Sequence, residues 1–125
     1  MVNLNQVYRC KVCGNVIEVI HAGVGILFCC NQSMMLMTEK KEDLGNEKHV
    51  SIIEKSDSGF NIRVGSVEHP MNKEHFIEWI ELITENEVYR KYLKPGQKPE
   101  ARFNIVANEV RARIFCNIHG LWSSK

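Results

Sequence analysis

The sequence holds no apolar run near the roughly 20 residues that a membrane-spanning helix needs. Its first fifteen residues, MVNLNQVYRCKVCGN, lack the apolar core of a secretory signal. Both absences predict a cytoplasmic protein with no membrane partner. An excess of one charge is missing as well. Sixteen basic and fifteen acidic residues interleave to a net charge of +1. Nucleic-acid binding normally shows as a basic stripe or patch, so nucleic acid is not expected as a partner. There is no internal repeat and no low-complexity tract. An even set of cysteines is also absent. Five fit a disulfide framework poorly, and a reducing compartment keeps thiols free. The cysteines therefore read as metal ligands.

What is present divides in two. Cys10, Cys13, Cys29 and Cys30 lie within the first thirty residues, and Cys116 lies near the far end. Between the two groups runs TEKKEDLGN, Thr38 to Asn46, which is charged and has little to bury. The expected domains are residues 1–37 and 47–125, joined by a linker at 38–46. The first is too short to fold on a hydrophobic core alone, so a metal would have to hold it. The second reads as strands. Residues 49–54 are β-rich, Asp57-Ser58-Gly59 is a turn, and Phe60 to Val64 alternates apolar and polar. Val110, Ala112, Ile114 and Cys116 alternate in the same way, and Lys94 to Pro99 is a loop. Phe76 to Ile83 also suits an amphipathic helix, but its β-branched and aromatic residues favour a strand. Short strands broken by turns predict an all-β fold with an antiparallel sandwich.

Two constellations carry chemistry. Cys10-Lys11-Val12-Cys13-Gly14 is a C-x-x-C knuckle, and Cys29-Cys30 can supply two more sulfurs. Four thiolates suit tetrahedral zinc or iron. A structural zinc is the plain reading of C-x-x-C, while the adjacent pair should distort the site and favours iron. Either metal would contribute its binding energy to folding. The second constellation is His49, His69, His75 and the C-x-x-H of Cys116 and His119. Each histidine alone reads as an ordinary surface or core residue, and Cys116 alone as a small apolar one. Together, four imidazoles and a thiolate exceed what tetrahedral zinc takes. They suggest a square-pyramidal site with an open sixth position. His21, in a glycine-rich stretch, reads as an exposed bystander. Trp79, Trp122 and the methionines read as packing residues.

The stretches YRCKVCGN, FCCNQSMM, NEKHVSIIEK, VGSVEHPM, EHFIEWIEL, YLKPGQKPEARF and IFCNIHGLW occur in this order across most of the chain. In them the sequence resembles the two-iron class of the desulfoferrodoxin family of superoxide reductases. The resemblance implies a small desulforedoxin-like, rubredoxin-type domain with an FeS4 centre, followed by an immunoglobulin-like β-sandwich, in a homodimer. It implies that Cys10, Cys13, Cys29 and Cys30 bind the first of two iron ions. His49, His69, His75 and His119 would then surround the second, the first three through Nε2 and His119 through Nδ1, with Cys116 axial. The activity implied is one-electron reduction of superoxide to hydrogen peroxide in oxidative-stress defence. Lys48 would attract the anion and help deliver a proton, and Glu47 would close the open position once product leaves. A rubredoxin-like or other electron donor protein would re-reduce the site. Three competitors remain: a non-catalytic two-iron electron carrier, a zinc-ribbon interaction module, and a dismutase, which would release oxygen.

Overall fold

The computed structural model describes residues 2–41 and 49–124. The chain divides into two compact units, Met1–Thr38 and Glu39–Lys125. Both are built from strands, and the described residues contain no helix.

The first unit has five short strands: β1 (Val7–Arg9), β2 (Val16–Glu18), β3 (Phe28–Cys29), β4 (Gln32–Ser33) and β5 (Met35–Leu36). They form an antiparallel sheet ordered β2-β1-β5 and a separate β3-β4 hairpin. Val7, Cys10 and Val19 are its only buried apolar residues among those described. Such a core is too small to offset the entropy of ordering the chain. The β3-β4 turn is Cys30-Asn31, with φ of +52° and +63°. Two positive φ values in a two-residue loop match the tightest hairpin turn. A cysteine seldom adopts that backbone, and its use here puts Cys29 and Cys30 on one side of the turn.

The second unit has seven strands: β6 (Ser51–Ser56), β7 (Gly59–Val64), β8 (Ile77–Ile83), β9 (Val88–Tyr92), β10 (Glu100–Phe103), β11 (Arg111–Cys116) and β12 (Gly120–Ser123). One sheet is ordered β10-β7-β6 and the other β12-β11-β8-β9, all antiparallel. The core takes Phe60, Ile62 and Val64 from β7, Ile80 and Leu82 from β8, Phe103 from β10, and Ala112 and Ile114 from β11. Alternation along each strand supplies these inward residues. The stretch that also suited a helix is β8. Its helical look has a physical cause: Trp79 and Ile83, on the face away from the core, are buried as well.

That outer face carries a row of charge. The register places Arg90 on β9, Glu81 on β8 and Arg113 on β11 directly opposite one another. Arg113 Nε lies 2.7 Å from Glu81 Oε1, and Arg90 Nε lies 3.0 Å from Glu81 Oε2. Glu81 and Arg113 are fully buried. Glu39 extends the row, reaching Arg111 and, at 3.2 Å, Arg113. Glu39 and Lys40 fall in the stretch read as linker, yet both are bonded into the second unit. Lys40 bridges Trp122 on β12. Positions 42–46 of that stretch lie outside the described residues.

Replacing Glu81 with alanine leaves the Arg113 guanidinium buried with less than its full partner set, which costs about 3 kcal/mol. We expect a matching fall in the denaturation midpoint of Glu81→Ala. Glu81→Leu combined with Arg113→Met should recover much of it.

Candidate metal centres

The first unit brings Cys10, Cys13, Cys29 and Cys30 together, with every pair of sulfurs within 4.8 Å. Two turns do this. The knuckle closes through Gly14 N donating to Cys10 O at 3.0 Å and Cys10 N donating to Asn15 O at 2.9 Å. Gly14 has φ +83°, a conformation that a side chain would strain. The hairpin then presents the other pair, with Cys13 and Cys29 sulfurs 3.6 Å apart. The amide N–H groups of Val12 and Cys13 both point at the Cys10 sulfur, each at 3.4 Å.

These groups cannot all ionise unaided. The Cys13 amide helps to bring the Cys10 thiol down to about 6. The neighbouring sulfurs of Cys13, Cys10 and Cys29 push Cys30 up to about 12. One thiolate forms readily and the last is resisted by those already there. A cation among them removes that conflict, so the four sulfurs fit a thiophilic metal.

In the second unit the histidines close a ring. Centroids follow His49, His69, His75, His119 and back to His49 at 4.7, 4.8, 5.0 and 4.8 Å. Neighbouring planes stand at 63° to 82°, like blades about a common axis. Cys116 joins them: its sulfur and the ring nitrogens of His49, His75 and His119 all lie within 4.8 Å of one another. His119 turns Nδ1 toward that sulfur at 3.9 Å. His21 is exposed in the first unit and belongs to neither cluster.

Each ligand position has a local cause. His49 sits two residues before β6. His69 and His75 lie on the β7–β8 connection, where Asn72 and His75 exchange backbone hydrogen bonds of 2.9 and 3.1 Å. A register shift in the β8–β11 pairing sets Cys116 opposite Ile77, and the chain then turns through Asn117-Ile118-His119 to Gly120, at φ +85°. Asn117 clasps the two loops. Its Oδ1 accepts from Phe76 N, and its Nδ2 donates to Glu74 O, both at 3.0 Å.

His69 tests whether a metal fits. Its Nδ1 lies 2.7 Å from the Pro70 carbonyl, which can only accept. The ring proton therefore sits on Nδ1, and Nε2 carries a lone pair. That Nε2 is buried without a hydrogen-bond partner. Burial draws the ring pKa down to about 4, against the pull of Pro70. Burial also pushes the Cys116 thiol up, while the amides of His119 and Ile118 oppose it. A lone pair fixed by a carbonyl behind it, on a ring packed edge-on against His49 and His75, suits a transition metal, and it lies beside the group that His49, His75, Cys116 and His119 form within 4.8 Å.

The whole chain matches known proteins. Residues 41–125 match the family model described as Desulfoferrodoxin, and residues 2–37 match Desulfoferrodoxin, N-terminal domain. The chain belongs to the desulfoferrodoxin family. It is 53% identical over 120 residues to the desulfoferrodoxin of Desulfarculus baarsii, covering 96% of this chain and 95% of that one. It is also 53% identical to a desulfoferrodoxin homolog of Archaeoglobus fulgidus, covering 99% of each. The crystal structure of the superoxide reductase from Treponema pallidum superposes with a TM-score of 0.79 at 30% identity, covering 96% of this chain and 97% of that one. The desulforedoxin-like domain and the sandwich expected of the family are the two units described above.

Several residues near the second centre escaped the sequence reading. Trp122, expected as a packing residue, is part of the core, and its stacking on His49 at 4.4 Å with planes 8° apart is what the sequence does not display. Lys40 falls in the expected linker, and Asn117 lies between the expected ligands Cys116 and His119 with no role of its own expected. Asn117 and Trp122 lie in the stretch IFCNIHGLW, but their roles rest on contacts that spacing does not display, and Lys40 lies in no such stretch. Glu47 and Lys48, by contrast, were singled out and lie outside the described residues.

The His69 ring gives a pH test on metal-free protein. Its folded pKa is about 4 against 6.5 for a free ring, so the unfolded chain takes the proton first. The stability it contributes is complete above pH 6.5 and is lost as pH falls towards 4. Thermal melts of the metal-free protein should decline through that window, and those of His69→Gln should decline less.

Proposed function

We propose that this chain is a superoxide reductase, an oxidoreductase that converts superoxide to hydrogen peroxide in oxidative-stress defence. The observation that carries the reading is the closed ring of four imidazoles around a buried cysteine. The solved structures that the chain resembles include several titled superoxide reductase. His49, His69, His75 and His119 are assigned as the ligands of one iron, with Cys116 completing the set. Cys10, Cys13, Cys29 and Cys30 are assigned to a second. When bound, iron at the histidine centre supplies a one-electron couple, and a thiolate ligand tunes it.

The chain's residues do the rest. Reduction of superoxide to hydrogen peroxide consumes one electron and two protons. Carbonyl and amide contacts hold the histidines and the sulfur in place before substrate arrives. Lys48, next to His49 in sequence, draws in the anion and passes a proton through water. Glu47 would offer the same iron a carboxylate ligand when no substrate is bound. The domain assignment follows: residues 1–37 carry the four-sulfur centre and 47–125 the catalytic one. A cytoplasmic location, where thiols stay reduced, suits cysteines assigned to metal. The electron comes from a donor protein of the rubredoxin kind. Ile20, Val24, Ile26 and Phe28 of the first unit are exposed, and apolar surface of this kind supports pairing with a second copy.

The test is visible spectroscopy on iron-loaded protein, reduced and then given superoxide. Thiolate-to-iron charge transfer should appear as the histidine centre oxidises, with stoichiometric peroxide and little oxygen. Protein that stays colourless after iron loading would make the zinc module correct. Reversible redox change without peroxide would leave an electron carrier, and oxygen release a dismutase. Lys48→Ala should slow the reaction about tenfold and flatten its salt dependence. An unchanged rate removes Lys48 from the mechanism.

A further inference from the structure

Lys40 is fixed beside the histidine centre by its own backbone. Its N–H donates to Leu121 O at 3.0 Å, and its carbonyl accepts from Ser123 N at 2.8 Å. The side chain then runs to the centre. Nζ donates to His119 O at 2.9 Å and stands 5.2 Å from the middle of the Trp122 ring. Trp122 Nε1 donates to the same carbonyl at 3.2 Å, and the indole stacks on His49. One ammonium and one indole therefore form a single clasp over two members of the histidine ring.

The clasp has two physical consequences. A cation over an indole face is attracted to it, so the ammonium helps to hold the ring that holds His49. Two donors on the His119 carbonyl fix the peptide that aims the imidazole, the kind of outer contact that orients ligands and tunes a metal. The ammonium also adds a positive charge close to the centre. Such a charge opposes any further gain of positive charge there.

We propose that Lys40 is a positioning residue of the histidine centre, clasping His119 and Trp122, and that its charge biases the bound iron towards the ferrous state. This rests on the reading that the centre holds redox-active iron. Lys40 is distinct from Lys48, which is assigned to the incoming anion. Its role is electronic and structural, exerted through Trp122 and the His119 peptide.

The test compares native protein with Lys40→Met, Lys40→Gln and Lys40→Arg in redox titrations of the iron-loaded protein, followed by the visible band of the histidine centre. At a fixed potential the two neutral variants should raise the ferric-to-ferrous ratio on the order of tenfold, as loss of one partly screened charge implies. Lys40→Arg should stay within about twofold of native, because it keeps the charge. The shift should shrink at high salt, since Lys40 is exposed. Neutral variants that titrate at the native potential overturn the proposal, and so does an arginine variant that shifts as far as they do. Native protein with no redox-active iron at this centre overturns the parent reading and the electronic role together. A normal native couple with unmoved variants overturns the Lys40 role alone.

Discussion

Four imidazole rings, each within 5.0 Å of the next, dominate the second unit. Neutral rings so close gain little from one another, and protonated rings repel. Their approach is worth its cost only if a cation accepts their lone pairs. Three separate pieces of chain must meet to build the ring: the approach to β6, the β7–β8 connection and the β11–β12 hairpin. The two sheets belong to different layers, and the packed core between them sets the distance at which those pieces arrive. In this sense the sandwich is a frame whose tolerance is set by metal–ligand bond lengths, which allow only a few tenths of an ångström.

The two units solve the same problem with opposite balances. In the second, a conventional core of Phe60, Ile62, Ile80, Leu82 and Ile114 holds the fold, and the ligands sit at its end. In the first, the buried apolar residues among those described are three, one of them Cys10 of the four-sulfur cluster. There the four sulfurs tie the knuckle to the hairpin, with Cys10 buried and Cys13 and Cys30 at the surface. Their mutual resistance to ionisation, greatest at Cys30, means that the unit gains most from folding when a cation is present. Metal affinity and folding are close to one quantity in the first unit and largely separate quantities in the second.

How much could be read from sequence follows from how local each signal is. The C-x-x-C, the adjacent pair, the C-x-x-H and the alternation in β7 and β11 are spelled out within a few residues. So the two clusters and most strands were legible. Glu81 and Arg113 were not, because a charged residue in an alternating strand reads as solvent-facing. Their burial depends on Arg90 and Glu39, which come from other parts of the chain. β8 was ambiguous for the same reason: burial on both faces erases the period of two. Trp122 is core, as expected, but its stacking on His49 was hidden, since an indole stacked on an imidazole and one packed on leucine have the same composition. Lys40 sat in a charged stretch that resembles a linker in every respect except its hydrogen bonds to β12.

The β11–β12 hairpin shows how tightly register and chemistry are joined. Cys116 and His119 lie on the same turn, so one short loop supplies the sulfur and one of the four nitrogens. Strand alternation fixes which side Cys116 faces, and a slip of one residue in β11 would turn it to the outer surface with Arg113 and Phe115. The register shift at the β8 pairing prevents a simple slip, because it matches Cys116 to Ile77 and Phe115 to Trp79 at one place only. Asn117 then spans from this loop to the one bearing His75, so an error in either would leave its amide unpaired in both directions. Correct pairing of β11 is thus a precondition for the centre. A metal held at Cys116 and His119 would in turn stabilise that pairing.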